Sequence, residues 1–235
     1  MEDILDKVRG ALKNRIDENV QANGQKFSKE KLKCYGVRTA VVRNIGKTFF
    51  KRINSRSKSE IYDLCEELWR SGYLEESIIA CNWSHYLQNQ FEPADFILFQ
   101  KWISDYVRNW VSCDAFCNHT MGGFIEMYPD SVKKLKDFTK SENRWMRRAA
   151  SVSLIVPARK GKFLKDILEI SDLLLSDKDD LVQKGYGWML KVTSQSHQQE
   201  VFHYIMKNKS VMPRTALRYA LQKMPKDLKS IAMAR

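Results

Sequence analysis

A chain of 235 residues that is 43% hydrophobic and 29% charged can bury a continuous core and is too apolar to remain disordered. Its 40 Lys and Arg against 28 Asp and Glu leave a net charge of +12, with only 10 Gly and 5 Pro as punctuation. The charge points to a polyanionic partner, nucleic acid ahead of an anionic membrane, although a merely basic surface gives the same count.

Apolar residues recur at three- and four-residue spacing nearly throughout, and strict alternation is almost absent, so an all-α chain is expected. Met1-Glu2-Asp3 opens an acidic amphipathic segment without a signal-peptide core, and no run approaches the ~20 apolar residues of a membrane span. A first helical stripe covers 4–15, and the first 30 residues read as a cap on the array or as a clamp. In "SEIYDLCEELWRSG", Ile61, Leu64, Cys65, Leu68 and Trp69 share a face opposite Glu60, Asp63, Glu66 and Glu67. Ser59 is the expected N-cap there and Gly72 the stop. Further stripes follow at 92–107, 111–127, 131–139, 144–155, 163–175, 181–193, 199–206 and 214–223. The segments 53–59, 157–162 and 176–180 are polar loops between helices. Arg56, Lys58, Arg159, Lys160 and Lys162 in the first two could hold phosphates, or be solvated loop charge.

The register between helices says more than any one of them. "YLEESIIACNW" (73–83), "WMRRAASVSLI" (145–155), "LVQKGYGWMLK" (181–191) and "VMPRTALRYAL" (211–221) share one pattern: polar or basic residues, then small ones, then an apolar stripe. Glu76, Ser112, Arg148 and Lys184 recur every 36 residues. Two helices per such period describe a superhelical solenoid of antiparallel HEAT-like helix pairs, here one domain over 1–235 with a shortened last unit. Ala149, Ala150, Gly185, Gly187 and Ala216 would let inner helices approach closely. Equivalent positions on those helices would line a concave basic groove, gathering Trp110, Asp114, Arg148, Lys184 and Trp188.

Cations and aromatics interleave along that face. Arg144, Arg147, Lys184, Lys191, Arg214 and Arg218 are expected to hold nucleic-acid phosphates, and Trp110, Tyr186 and Trp188 to contact bases or sugars, with Trp145 and Tyr219 among them. Any single helical tryptophan is more often a core anchor. Asp114, in "RNWVSCDAF", lies one turn from Trp110. A carboxylate among aromatics needs a partner or a task, and Arg148 could supply a structural bridge or keep it ionised for chemistry. The five scattered cysteines suit reduced thiols. Cys113, Cys117 and His119, or Cys81 and His85, lack the spacing of a structural zinc site, so no metal is expected. P-loop, dinucleotide and serine-esterase motifs are absent.

The segments "GVRTAVVRNIGK" (36–47), "YDLCEELWRS" (62–71), "NWVSCD" (109–114), "WMRRAA" (145–150) and "GYGWML" (185–190) resemble, in order and spacing, the AlkD family of DNA alkylation repair proteins. The resemblance covers about residues 30–220 and implies HEAT-like repeats and a glycosylase releasing cationic alkylated purines of the 3-methyladenine and 7-methylguanine type from duplex DNA. It maps the catalytic carboxylate to Asp114, the active-site arginine to Arg148 and the cleft tryptophans to Trp110 and Trp188. It further implies no cofactor, double-stranded DNA as partner, a monomer, no membrane, and a cytoplasmic protein that joins the nucleoid when bound to DNA. Two departures stand out: Asn109-Trp110-Val111 replaces the Trp-Trp-Asp of active members, and Thr39-Ala40 replaces Thr-Pro. A non-catalytic binder of branched or distorted DNA on the same fold, and a protein-interaction scaffold, are the alternative readings.

Overall fold

The computed structural model describes residues 4–26 and 32–234, with the side chains of 23–26 left aside. The expectation for the first 30 residues falls partly on 1–3 and 27–31, outside the described residues. The described chain is all α-helical, and its contacts group into two compact units, 1–116 and 117–235.

The first unit holds α1 (Ile4–Lys13), α2 (Glu18–Lys26), α3 (Thr39–Phe50), α4 (Lys58–Arg70), α5 (Leu74–Tyr86), α6 (Asp95–Tyr106) and α7 (Trp110–Phe116). Helices α1, α3, α5 and α7 pack in succession, and α4 lies against α5 and α6. Helix α4 starts two residues earlier than Ser59 would dictate. The Ser57 side chain accepts from the Glu60 amide while the Glu60 carboxylate accepts from the Ser57 amide, a reciprocal capping box. Before α3, the turn at Gly36 has φ +89, and an added Cβ would lie 2.7 Å from the Gln21 Cβ, so only glycine fits. That turn is fixed by Glu75, whose buried carboxylate accepts from the amides of Tyr35, Gly36 and Val37 at 2.8–3.0 Å. Glu76 beside it accepts from the Tyr35 hydroxyl at 2.6 Å and from Arg9 at 3.3 Å.

The second unit holds α8 (Gly122–Met127), α9 (Val132–Phe138), α10 (Arg144–Val152), α11 (Ile155–Arg159), α12 (Leu164–Leu173), α13 (Asp180–Thr193), α14 (Gln198–Asn208), α15 (Arg214–Ala220) and α16 (Lys226–Met233). Helices α10, α13 and α15 pack in succession. Gly187 makes the α13–α15 approach possible, since a Cβ there would meet the Ala216 carbonyl oxygen and the Tyr219 Cβ at 2.8 Å. Two expected helices are interrupted. The stripe at 111–127 is broken by a π-helical turn, Cys117–Met121, and the stripe at 144–155 ends at Val152 before α11 begins.

The repeat near 36 residues is written into the polar contacts of both units. Trp83 Nε1 donates to Gly46 O across 37 residues, Arg70 Nε to Tyr106 Oη across 36, Arg144 to Asp179 across 35, and His197 Nε2 contacts Gly161 O across 36. Each joins equivalent parts of successive repeats, as quasi-one-dimensional packing requires.

Candidate functional site

In the first unit, the site residues ride on α7. Its inner side is anchored by Phe116, whose ring meets Trp69, Phe99 and Trp102 at 5.6–5.9 Å, and by Cys113, also fully buried. Its start is set by Asn109, whose Oδ1 accepts from the Ser112 amide at 2.9 Å and the Ser112 hydroxyl at 3.0 Å. Asn109 therefore does identifiable work: it caps the helix that carries Trp110 and Asp114. The signal was present in sequence, an Asn three residues before a Ser at a helix start. Arg108 bonds the carbonyls of Ser104, Asp105 and Val107 and closes the end of α6. On the outer side of α7, Trp110 is 38% exposed and Asp114, one turn on, is half-buried. The carboxylate is thus neither sealed in the core nor fully solvated.

In the second unit, Arg148 is 5% exposed and donates through Nη1 to the Leu181 carbonyl. Gly185 clears the space it needs, because a Cβ there would lie 3.3 Å from Arg148 Cγ and 2.9 Å from Ser151 Oγ. Trp188, on the same helix as Gly185, is half-buried. Lys191 Nζ sits 6.0 Å from the Trp188 ring centre and 5.8 Å from that of Tyr219, and donates to Gln222 Oε1 at 3.0 Å. Burial, and then the nearby Lys223, draw the Lys191 ammonium below the usual lysine range.

Several expected contacts are spent elsewhere. Tyr186 is fully buried and its hydroxyl donates to Leu175 O at 3.3 Å, so it is a core residue and not a substrate contact. Burial pushes its phenol well above the usual range. Arg147 is bound to Asp177 at 2.6 Å and to the carbonyls of Ser141 and Glu142 at 2.9 Å, so its charge is already paired within the fold. Arg144 pairs with Asp179 at 3.3 Å and Lys184 with Asp180 at 2.6 Å. Among the cations expected in loops, Lys58, which the structure places at the start of α4, binds Glu92 and Asp95, while Lys160 and Lys162 share Glu126. Burial opposes ionisation of Glu126, yet the two lysines hold it below the usual carboxylate range. Arg214 and Arg218 are exposed and have no acidic partner among the described residues.

The six tryptophans separate cleanly. Trp69, Trp83, Trp102 and Trp145 are 0–5% exposed; Trp110 and Trp188 are not buried. Among the described residues no cluster of three or more His, Cys, Asp or Glu could hold a metal ion, and no helix is long and apolar enough to cross a membrane.

Comparison with known proteins gives a consistent result. A family model described as DNA alkylation repair enzyme matches residues 8–224. A solved structure described as a predicted DNA alkylation repair enzyme from Enterococcus faecalis superposes with a TM-score of 0.80 at 17% identity, covering 90% of this chain and 98% of that one. AlkD2 from Streptococcus mutans superposes with a TM-score of 0.60 at 18% identity, covering 87% and 97%. At such identities the likeness speaks for the fold alone. No curated protein matches the sequence.

Proposed function

Because the chain belongs to the DNA alkylation repair enzyme family, we propose that it is a glycosylase that hydrolyses the N-glycosidic bond of cationic alkylated purines in duplex DNA. Asp114 is the essential carboxylate in this reading. The observation that supports it is the sorting of the tryptophans: four are consumed by the core, and the two left accessible are those to which the resemblance assigns the cleft. One of them, Trp110, stands a single helical turn from a carboxylate that is itself only half-buried.

The chemistry follows from the charge of the lesion. A purine alkylated on a ring nitrogen is already cationic, so its bond to C1′ breaks with the electron pair passing to the base and no general acid is needed. Positive charge then develops on the sugar, and a fixed carboxylate stabilises it better than reorganising water does. Water adds its oxygen to C1′ and loses a proton, leaving a neutral purine and an abasic sugar. An accessible indole face such as that of Trp110 attracts the cationic base and excludes water beside it, a role that the family resemblance extends to Trp188. The resemblance of "WMRRAA" to the family's motif gives Arg148 a part in the same reaction, as a guanidinium held by its own hydrogen bond and by the room left at Gly185.

Release of methylated purine from alkylated duplex DNA by wild type and by Asp114→Asn tests the reading. Replacing the carboxylate by an amide should reduce the rate about 10²–10³-fold, the usual cost of losing one preorganised electrostatic group. Undiminished release by the variant would overturn it. A second reading, a non-catalytic binder of distorted DNA, is favoured by the caps and substitutions beside Asp114: Asn109 is engaged as a helix cap and Val111 carries no charge. That reading predicts DNA binding by both proteins and base release by neither.

A further inference from the structure

Of the cations that the repeat pattern pointed to, Arg144, Arg147 and Lys184 are paired with neighbouring acids, while Lys191, Arg214 and Arg218 have no acidic partner among the described residues, so a protein of net charge +12 offers more than one place to meet a polyanion. Of the acid-free stretches in the sequence, the longest is 31–59. Between Glu30 and Glu60 there is no Asp or Glu, and residues 31–59 carry Lys31, Lys33, Arg38, Arg43, Lys47, Lys51, Arg52, Arg56 and Lys58. The structure sorts the described members of this run. At its ends Lys33 donates to Ser71 O and lies over the Tyr73 ring, Arg38 pairs with Asp17, and Lys58 pairs with Glu92 and Asp95. In its middle, Arg43, Lys47 and Lys51 are exposed, and none has an acidic partner among the described residues. Arg52, beside them, rests on the Phe49 ring at 5.0 Å.

Arg43 and Lys47 on α3 and Lys51, its C-cap in αR conformation, follow one another at four-residue steps. Such steps place a charge every ~6 Å along one face, and the row spans ~12 Å. The opposite face of the helix is committed to packing: Val42, Gly46 and Phe49 are buried, and the Gly46 carbonyl accepts from Trp83. The row is therefore rigidly mounted, single-signed and, among the described residues, uncompensated. Leaving three cations unpaired on one helix contributes nothing to folding and raises self-repulsion, a cost that an external anion would remove.

We propose that the Arg43–Lys47–Lys51 face of α3 is a docking surface for the phosphate backbone of duplex DNA. It rests on the reading that this chain works on DNA, and adds to it a place where undamaged backbone is held by charge alone. A straight row of flexible cations matches the regular spacing of phosphates along one strand and carries no base-reading geometry, so the contact is independent of sequence and of the lesion.

The test is a salt titration of binding to a short undamaged duplex, comparing wild type with the triple variant Arg43→Gln, Lys47→Gln, Lys51→Gln. A control variant, Lys207→Gln, Lys226→Gln, Lys229→Gln, removes the same charge from exposed positions on α14 and α16. Each phosphate contact contributes about one unit to the slope of log affinity against log salt, so the α3 variant should lower it by about 3 and the control by much less. Restoring positive charge with Lys at position 43 should recover about one unit. An unchanged slope in the α3 variant overturns the proposal, as does an equal loss in the control. The same holds if the α3 variant loses binding to vesicles of anionic phospholipid while its duplex binding is intact. Base release by wild type, measured in parallel, reports separately on the glycosylase reading: a wild type that excises while the α3 slope stays constant sinks only the docking surface.

Discussion

Helix α3 and helix α10 both carry a row of cations, and the two rows serve different purposes. On α10, Arg144 and Arg147 reach Asp179 and Asp177, and Arg148 reaches the Leu181 carbonyl, so all three grip the segment that leads into α13. The grip spans 30–35 residues of sequence and joins one repeat to the next within the second unit. On α3 and its C-cap, Arg43, Lys47 and Lys51 find no acid among the described residues. Counting charges treats the rows alike. What separates them is whether an acid one period along the chain has already claimed the cation. Net positive charge marks a polyanion binder only where that claim is missing.

The comparison breaks most readily at Arg147. Its partner Asp177 has a side chain only 9% exposed. Arg147→Ala would leave that carboxylate without its guanidinium and two carbonyls without their donor. Removing one member of such a pair costs about 3 kcal/mol, readable as a lower urea midpoint with unchanged m-value. A variant that stays within ~1 kcal/mol of wild type while its DNA affinity becomes far less salt-sensitive would show that α10 is the binding row after all.

The repeat was legible because it is a property of packing. Small residues at Gly185, Gly187 and Ala216 and polar residues at Glu76, Arg148 and Lys184 recur where inner helices meet, and helices α5, α7, α10, α13 and α15 fall at those places. Which polar residues face solvent was far less legible. Tyr186 reads as an available aromatic, yet it shares a helical face with Val182, Met189 and Leu190, all buried, and periodicity alone would have placed it in the core. The acids at 177 and 179 look like loop charge until they are set about one repeat after Arg147 and Arg144, and Asp180 until it is set one repeat before Thr215. Ser57 rather than Ser59 caps α4 because only Ser57 has Glu60 three residues on. The π-helical turn at Cys117–Met121 leaves no trace, since its apolar spacing is that of an ordinary helix.

Helix α4 supplies a sharper version of the contrast inside the first unit, where acids exist but are spent away from α3. Glu66 accepts from Lys101 at 2.7 Å, Arg70 at 2.8 Å, Tyr106 at 2.9 Å and Trp102 at 3.3 Å, tying α4 to α6. Burial opposes its ionisation, but bonds from Lys101, Tyr106 and Trp102 outweigh that and bring its carboxyl down to about 2. A carboxylate depressed in the folded state stabilises it above the unfolded value, ~4.3, and the contribution is lost as pH falls toward 2. Glu66→Gln should cost about 2 kcal/mol at neutral pH and flatten the acid limb of a stability–pH profile. A limb as steep as that of wild type would mean that these contacts do not hold the carboxylate.

The smallest effect on folding, and the one that decides the contrast, belongs to Lys47. It is exposed on α3 with no acidic partner among the described residues, so nothing in the native state is lost when it is neutralised. Lys47→Gln should leave stability within ~0.5 kcal/mol of wild type. A cation that does not contribute to folding can still contribute to association, because each phosphate it neutralises frees condensed counterions. The same variant should therefore reduce the salt slope of duplex binding by about one unit. A destabilised Lys47→Gln protein with an unaltered slope would place this lysine with the stitches of α10, and the distinction between the two rows would vanish.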